Sequence, residues 1–354
     1  MTTKGCRQPA EWEPHESCFL AWPSHKDLWK EGLAAVKASF VELCRAIASC
    51  EPTDEKPAER LDVLVLDEAG REEALEALIG AGELDLHLSS FGDIWLRDTA
   101  PIFLKDEKGR LFATAFRFNG WGGKYLLPGD ETVAAEVAAI AGVYLNPADI
   151  VLEGGAVEVD GEGTCITTRQ CVLNENRNPG MNESDAERIL GPALGVSKFI
   201  WLDEGLANDH TDGHVDNIVR FVGPGRVACM SPEASDPNRR VLQDVRARLR
   251  GARDAAGRRL EIIDVPSCGA ILSGDGALMP ASYMNFFISN HAVIVPVYGS
   301  RSDHLAVDLI GGCFPDRRVV GIDARTLLEG GGAFHCITQQ QPSIVGKEGF
   351  NGEQ

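Results

Sequence analysis

The chain has 354 residues, a formal net charge of −19, and 44% hydrophobic and 25% charged residues. This is long enough to bury a large core, and the composition is that of a globular protein, not of a disordered or fibrous one. The acidic balance disfavours nucleic acid and anionic membrane surfaces as partners and suits a cationic ligand, although acidity also serves solubility. The longest apolar runs, such as 292–297, are too short to span a bilayer, and the opening MTTKGCRQPAEWEP has no apolar signal core. A cytoplasmic location is therefore expected. The ten cysteines include no CxxC pair, which argues against a structural zinc site and a dithiol redox pair. Most are expected to be reduced, buried thiols.

In chain order, an apolar strand at 18–22, a helical pattern at 34–48 and a β-branched run at 61–66 come first, with a further helix at 72–79. The polar segment 51–60 reads as a surface loop within one module, not as a domain boundary. Four hairpins follow: 99–118 turning at KDEKGR (105–110), 156–168 turning at DGEG (160–163), 217–230 turning at GPGR (223–226), and 285–297 turning at SNH (289–291). Helical periodicity returns at 131–141, 184–190, 238–249 and 304–310. A β-branched run follows each, at 143–145 with 150–152, 199–202, 260–265 and 319–322. The connectors 180–185 and 253–259 read as loops. A last strand near 335–338 is expected to complete the first module. The pattern predicts an α/β fold in one catalytic domain, 1–354, of about five ββαβ modules whose two ends join to close a ring.

Polar residues stand just before a strand in each module: Trp95 and Asp98, Glu153, His214 and Asp216, Asn285, and Cys336. In a radial arrangement, equivalent positions converge on one axis. That would gather a cysteine, a histidine and three carboxylates in a single cavity.

Each residue also has a plainer reading. Cys336 follows the glycines 330–332, which allow close approach to a ligand, yet a lone cysteine beside glycines is often structural. In DHTDGHVDN (209–217), His210, Asp212, His214 and Asp216 would share one face of a strand. His214 suits general acid and base work, with an ordinary pKa of about 6.5. The same four side chains are also ordinary zinc or manganese ligands, and this segment alone does not separate the two readings. Asp98, beside Arg97, fits either a cation site or an exposed ion pair. Glu153 ends an apolar strand, where a carboxylate needs a partner.

No phosphate loop or dinucleotide fingerprint is present, and no cofactor is expected. A thiol and an imidazole also describe thiol proteases. Two or three accompanying carboxylates favour a guanidinium instead, a planar permanent cation whose N–H fork they bind. Those carboxylates raise the pKa of a thiol, so a bound cation or a protonated His214 has to offset them.

The chain resembles agmatine deiminases, members of the peptidylarginine deiminase and guanidino-group-modifying superfamily. The resemblance runs through PAEWEPH (9–15), FLAWP (19–23), DIWLRDTAP (93–101), RFNGWGGK (117–124), LEGGA (152–156), DHTDGHVDN (209–217), SYMNF (282–286) and GGGAFHC (330–336). It implies a five-bladed, pseudo-symmetric α/β propeller of the pentein type. It implies hydrolysis of agmatine to N-carbamoylputrescine and ammonia through a covalent thiouronium intermediate, with no metal. It also implies roles: Cys336 as nucleophile, His214 as general acid/base, Glu153 orienting His214, Asp98 and Asp216 clamping the guanidinium, and Trp95 and Trp121 lining the pocket. The expected partner is a small cationic guanidinium substrate, with neither nucleic acid nor membrane; a homo-oligomer is compatible with the sequence. Arginine or peptidylarginine is the competing substrate, because Arg117, Arg169 or Arg177 could meet a carboxylate. The same residue types also fit an amidinotransferase, a metallohydrolase using His210, Asp212, His214 and Asp216, or a polyamine-binding protein.

Overall fold

The computed structural model describes residues 5–48 and 58–344. The first module runs through β1 (His15–Ala21), α1 (Leu33–Ala48), β2 (Arg60–Val65), α2 (Glu68–Ala77) and β3 (Leu84–Leu88). Helix α1 forms on a stripe of Val36, Phe40, Leu43, Cys44 and Ile47, all buried. Phe40 meets Trp22 edge-on, with ring centroids 5.5 Å apart. Helix α2 starts earlier than the periodicity predicts, because the Asp67 side chain caps it by accepting the Gly70 N–H at 2.7 Å. Strand β3 was not foreseen. It is a half-buried edge strand, parallel to β2, in which Leu84, Leu86 and Leu88 alternate with Asp85 and His87.

Four units of one design follow. They are β4 (Ile102–Lys105), β5 (Leu111–Arg117), α3 (Asp130–Ile140) and β6 (Tyr144–Val151); then β7 (Val157–Val159), β8 (Thr164–Thr168), α4 (Glu183–Leu194) and β9 (Lys198–Leu202). The third has β10 (Val219–Gly223), β11 (Arg226–Ser231), α5 (Arg239–Gly251) and β12 (Glu261–Pro266), and the fourth β13 (Phe287–Ile288), β14 (Ala292–Val297), α6 (Asp303–Gly311) and β15 (Arg318–Asp323). In every unit the first two strands pair antiparallel and the third lies parallel to the second. A parallel neighbour needs a crossover connection, which the helix supplies.

The final strand, β16 (Gln339–Pro342), returns to β1 and pairs antiparallel with it, Gln339 opposite Phe19. The first sheet therefore has the order β16-β1-β2-β3, and the two ends of the fold meet in it as expected.

Local readings are corrected at four places. Residues 335–338, read as a strand, form a turn closed by the Thr338 N–H to the His335 carbonyl at 3.2 Å; β16 begins after it. Strand β6 runs unbroken through Pro147, which is tolerated because β6 is the edge of its sheet. Segment 180–185 is only partly loop, since α4 starts at Glu183, capped by Asn182. Of the loop expected at 51–60, residues 51–57 lie outside the described residues and Arg60 already belongs to β2.

Candidate active site

The turns that lead into the strands carry the polar residues expected to converge. Asp98 sits in the single helical turn Leu96–Thr99 ahead of β4, and Glu153 in front of the turn Gly154–Ala156 that leads into β7. His214 and Asp216 bracket the start of the turn Val215–Asn217 before β10. Asn285 precedes β13, and Cys336 lies in the turn before β16. The fold brings them together. Glu153, His214 and Asp216 are 0% exposed, and Cys336 is 5% exposed. Cys336, Asp98, Trp95 and Trp121 line a cavity of about 670 Å³.

Segment 209–217 is not a strand. Asp212 and Gly213 both take left-handed backbone conformations, with φ of 63° and 88°, and reverse the chain. The alternation therefore does not put four side chains on one face. His210 is exposed, with its Nδ1 3.1 Å from the Tyr125 hydroxyl. Asp212 accepts from Lys124 Nζ at 2.6 Å and Arg177 Nη1 at 2.5 Å. Only His214 and Asp216 turn inward, so the four-ligand metal set does not form.

Asp98 is solvated by neutral donors, the Trp121 indole N–H at 2.8 Å and the Gly155 backbone N–H at 3.0 Å. Its charge is thus left available to a cation. Burial raises its pKa, against the charge of His214. Arg97 is also buried and turns away, its Nη2 3.5 Å from Glu11, which removes the exposed ion-pair reading. Asp216 Oδ2 accepts from His335 Nδ1 at 2.7 Å and Asn285 Nδ2 at 3.2 Å, while Oδ1 is buried without a partner. Burial would raise the Asp216 carboxyl, but the His335 hydrogen bond and nearby cations hold it below its ordinary value. A buried carboxylate oxygen without a partner is costly unless a donor or a cation meets it.

His214 stands between two carboxylates, Nδ1 3.8 Å from Asp98 Oδ1 and Nε2 3.6 Å from Glu153 Oε2. Burial opposes the imidazolium, yet the charge of Asp98 and the contacts with Cys171 and Glu153 push its pKa well above the ordinary value. Glu153 is anchored from the other side by Arg177 Nε at 2.8 Å. Gly155 must be glycine here: a Cβ would lie 2.5 Å from His214 Nδ1 and 3.1 Å from Asp98 Oδ1.

The Cys336 thiol is driven the other way. Burial first, then the charges of Asp216 and Asp98, push its pKa well above the ordinary thiol value. Asn285 Nδ2 lies 3.0 Å from Sγ, a contact that favours the thiolate. The two shifts run in opposite directions, toward a neutral thiol and toward a protonated imidazole.

The walls are aromatic. Trp95 and Trp29 donate their indole N–H groups to the two oxygens of Asp93, at 3.0 Å and 2.9 Å, which fixes both rings on the cavity. Trp121 sits at φ 52° in the turn 120–123, a strained conformation for a bulky residue, and thereby aims its N–H at Asp98. The charged lining is mostly acidic, Glu31, Asp93, Asp98 and Glu329 against Lys30. Arg117, Arg169 and Arg177 do not line it. Arg117 pairs with Asp149, Arg169 with Glu183 and Asp203, and Arg177 with Glu153 and Asp212.

Several supporting residues escaped the sequence reading. His335 links Asp216 to Glu11 Oε2 at 2.8 Å, and Arg220 Nη2 holds the same Glu11 oxygen at 2.9 Å. Glu11 and His335 lie inside the segments PAEWEPH and GGGAFHC. Those segments were the available signal. Among the described residues, no helix is long and apolar enough to cross a membrane.

Residues 7–342 match the family described as Porphyromonas-type peptidyl-arginine deiminase. The agmatine deiminase of Pseudomonas aeruginosa (strain LESB58) is 38% identical over 363 residues, covering 96% of each chain. The structure of the agmatine deiminase of Enterococcus faecalis superposes with a TM-score of 0.89 at 33% identity, covering 97% of each chain. A cysteine-to-serine variant of the C. jejuni agmatine deiminase with substrate bound has a TM-score of 0.85 at 25% identity, covering 96% of this chain and 97% of that one. With five sheets of common design around one buried cysteine, histidine and carboxylate cluster, the chain belongs to the Porphyromonas-type peptidyl-arginine deiminase family.

Proposed function

We propose that this protein hydrolyses agmatine to N-carbamoylputrescine and ammonia, with residues 1–354 acting as one catalytic domain. The observation that carries this reading is the empty, buried Asp216 Oδ1, in a carboxylate whose other oxygen is 3.8 Å from Cys336 Sγ. A cation with N–H donors satisfies it, and a guanidinium spans Asp216 and Asp98 with its carbon toward the sulfur.

In this mechanism the arriving cation does what the free site does not. It neutralises the two carboxylates that hold the Cys336 proton, that proton is released to solvent, and the thiolate forms next to its target. Sγ adds to the guanidinium carbon. His214, protonated in the free enzyme and held by Glu153, gives its proton to the departing nitrogen, and ammonia leaves. The neutral imidazole then takes a proton from water, whose oxygen attacks the thiouronium carbon; the C–S bond breaks, the remaining hydroxyl proton passes to the departing Cys336 sulfur, and the ureido product leaves. Trp95 and Trp121 flank the alkyl chain of the substrate.

Agmatine is favoured over arginine by the acidic lining of the cavity, in which Lys30 is outnumbered by Glu31, Asp93, Asp98 and Glu329. A substrate carboxylate would meet repulsion there, and the amine of agmatine would not. A cytoplasmic setting belongs to the same reading, since the nine described cysteines are buried and unpaired, as a reducing compartment keeps them. Ammonia release from agmatine tests the activity, and its loss in Cys336→Ser tests the nucleophile.

A further inference from the structure

Glu153, Cys171 and His214 offer one donor atom each within 4.8 Å of one another, and all three residues are buried. Glu153 Oε2 lies 3.6 Å from His214 Nε2 and 3.7 Å from Cys171 Sγ. Ligands on a tetrahedral zinc ion, bonded at about 2.0–2.3 Å, are separated by about 3.3–3.8 Å. A second, independent observation is that both ring nitrogens of His214 lack a hydrogen-bond partner although the residue is fully buried. Its Nε2 is an unused donor aimed at the other two.

We propose that Glu153, Cys171 and His214 form a site for a thiophilic divalent cation of the zinc class, and that occupation shuts the enzyme down by capturing His214. This set shares only His214 with the metal reading of segment 209–217.

The surroundings suit it. Arg177 holds Glu153 Oε1 at 2.8 Å and leaves Oε2 to Cys171 and His214. The charge of Arg177 is itself balanced by Asp212 at 2.5 Å. With Nε2 on the metal, Nδ1 keeps its hydrogen and faces Asp98 at 3.8 Å, the carboxylate–histidine–metal arrangement that orients a ligating imidazole. Thiolate and carboxylate together offset the two charges of the ion. Binding replaces two protons, one from Cys171 Sγ and one from His214 Nε2, both released to water, and no electron is transferred. Asp98 lines the cavity, so an ion entering there passes a carboxylate on its way to His214.

The inhibitory consequence rests on the role proposed for His214; the site itself does not. Cobalt(II) separates the two. In full-length Cys336→Ser, which removes the cavity thiol, cobalt is expected to give a sulfur-to-cobalt charge-transfer band in the near ultraviolet, chased by zinc. Adding Cys171→Ala or Cys171→Ser should abolish the band, with far-ultraviolet circular dichroism reporting the fold. Zinc should inhibit wild-type ammonia release reversibly, and Cys171→Ala should raise the half-inhibitory zinc concentration by at least about tenfold. Absence of the band in Cys336→Ser, or its survival in the double variants, overturns the site. A band that behaves as expected while saturating zinc leaves turnover intact overturns the inhibition and the role of His214 together.

Discussion

Asn285 holds Cys336 at two points: its Oδ1 accepts the Cys336 backbone N–H at 3.3 Å, and its Nδ2 lies 3.0 Å from Sγ. The same Nδ2 reaches Asp216 Oδ2 at 3.2 Å and Asn217 Oδ1 at 3.0 Å. One amide therefore positions the sulfur beside the carboxylate and donates to it as charge builds. Hydrogen bonds to charged groups contribute about 1.5–3 kcal/mol, so Asn285→Leu should lower kcat/KM by about 10- to 100-fold. It should also move the alkylation of Cys336 to higher pH. An unchanged alkylation profile with full activity would reduce Asn285 to a structural role.

Replacing Cys336 by serine should remove turnover and keep substrate binding. The hydroxyl is close in volume, and Asp98 and Asp216 are untouched. Loss of a covalent nucleophile normally costs orders of magnitude, so more than about a tenth of wild-type activity in this variant would falsify the assignment. Calorimetric titration with agmatine reads the binding half.

Charge in the site ties stability to pH. The folded-state pKa of His214 is raised, so its stabilising contribution is full below its unfolded value of about 6.5 and is lost as pH rises through the folded value. Glu153 and Asp216 are lowered, so theirs is present above unfolded values near about 4 and is lost as pH falls through the folded ones. His214→Gln leaves Asp98 and Glu153 without their shared cation and should destabilise the protein by about 3–5 kcal/mol near pH 6. The gap to wild type should narrow as pH rises into the alkaline range. Urea unfolding across that range decides it; a gap that widens contradicts the assigned charge states.

Much of this was legible because the repeat is written in hairpins and crossover helices, and because Asp98, Glu153, His214, Asp216, Asn285 and Cys336 all stand just before strands. Two kinds of feature were not. The strand reading of 209–217 failed because alternation is a period, and two left-handed residues at Asp212 and Gly213 cancel it. The buried charge ladder of Glu11, His335 and Arg220 was invisible because charged residues are ordinarily exposed, and only packing reveals which are not. Arg177, a candidate reader of substrate carboxylates on residue type alone, is delivered instead to Glu153 by its position after the turn at Asn174.

Catalysis should need no metal. Dialysis against a strong chelator is expected to leave the rate of ammonia release equal or higher, the latter where a cation had occupied the site at Glu153, Cys171 and His214. A loss of activity restored by zinc or manganese would reverse both conclusions.

The central claim is that this site takes a guanidinium carried by a cationic chain, not by an amino acid. Steady-state ammonia release from agmatine, free arginine and a blocked arginine peptide measures it directly. Agmatine and arginine differ by one carboxylate, and bringing it toward the buried Asp93 and Asp98 costs several kcal/mol, on the order of the penalty for an unpaired buried charge. The expected kcat/KM ratio is at least about a thousand in favour of agmatine, since about 1.4 kcal/mol is tenfold. Comparable values for arginine or the peptide would contradict the account and point to Lys30 as the residue that reads the carboxylate.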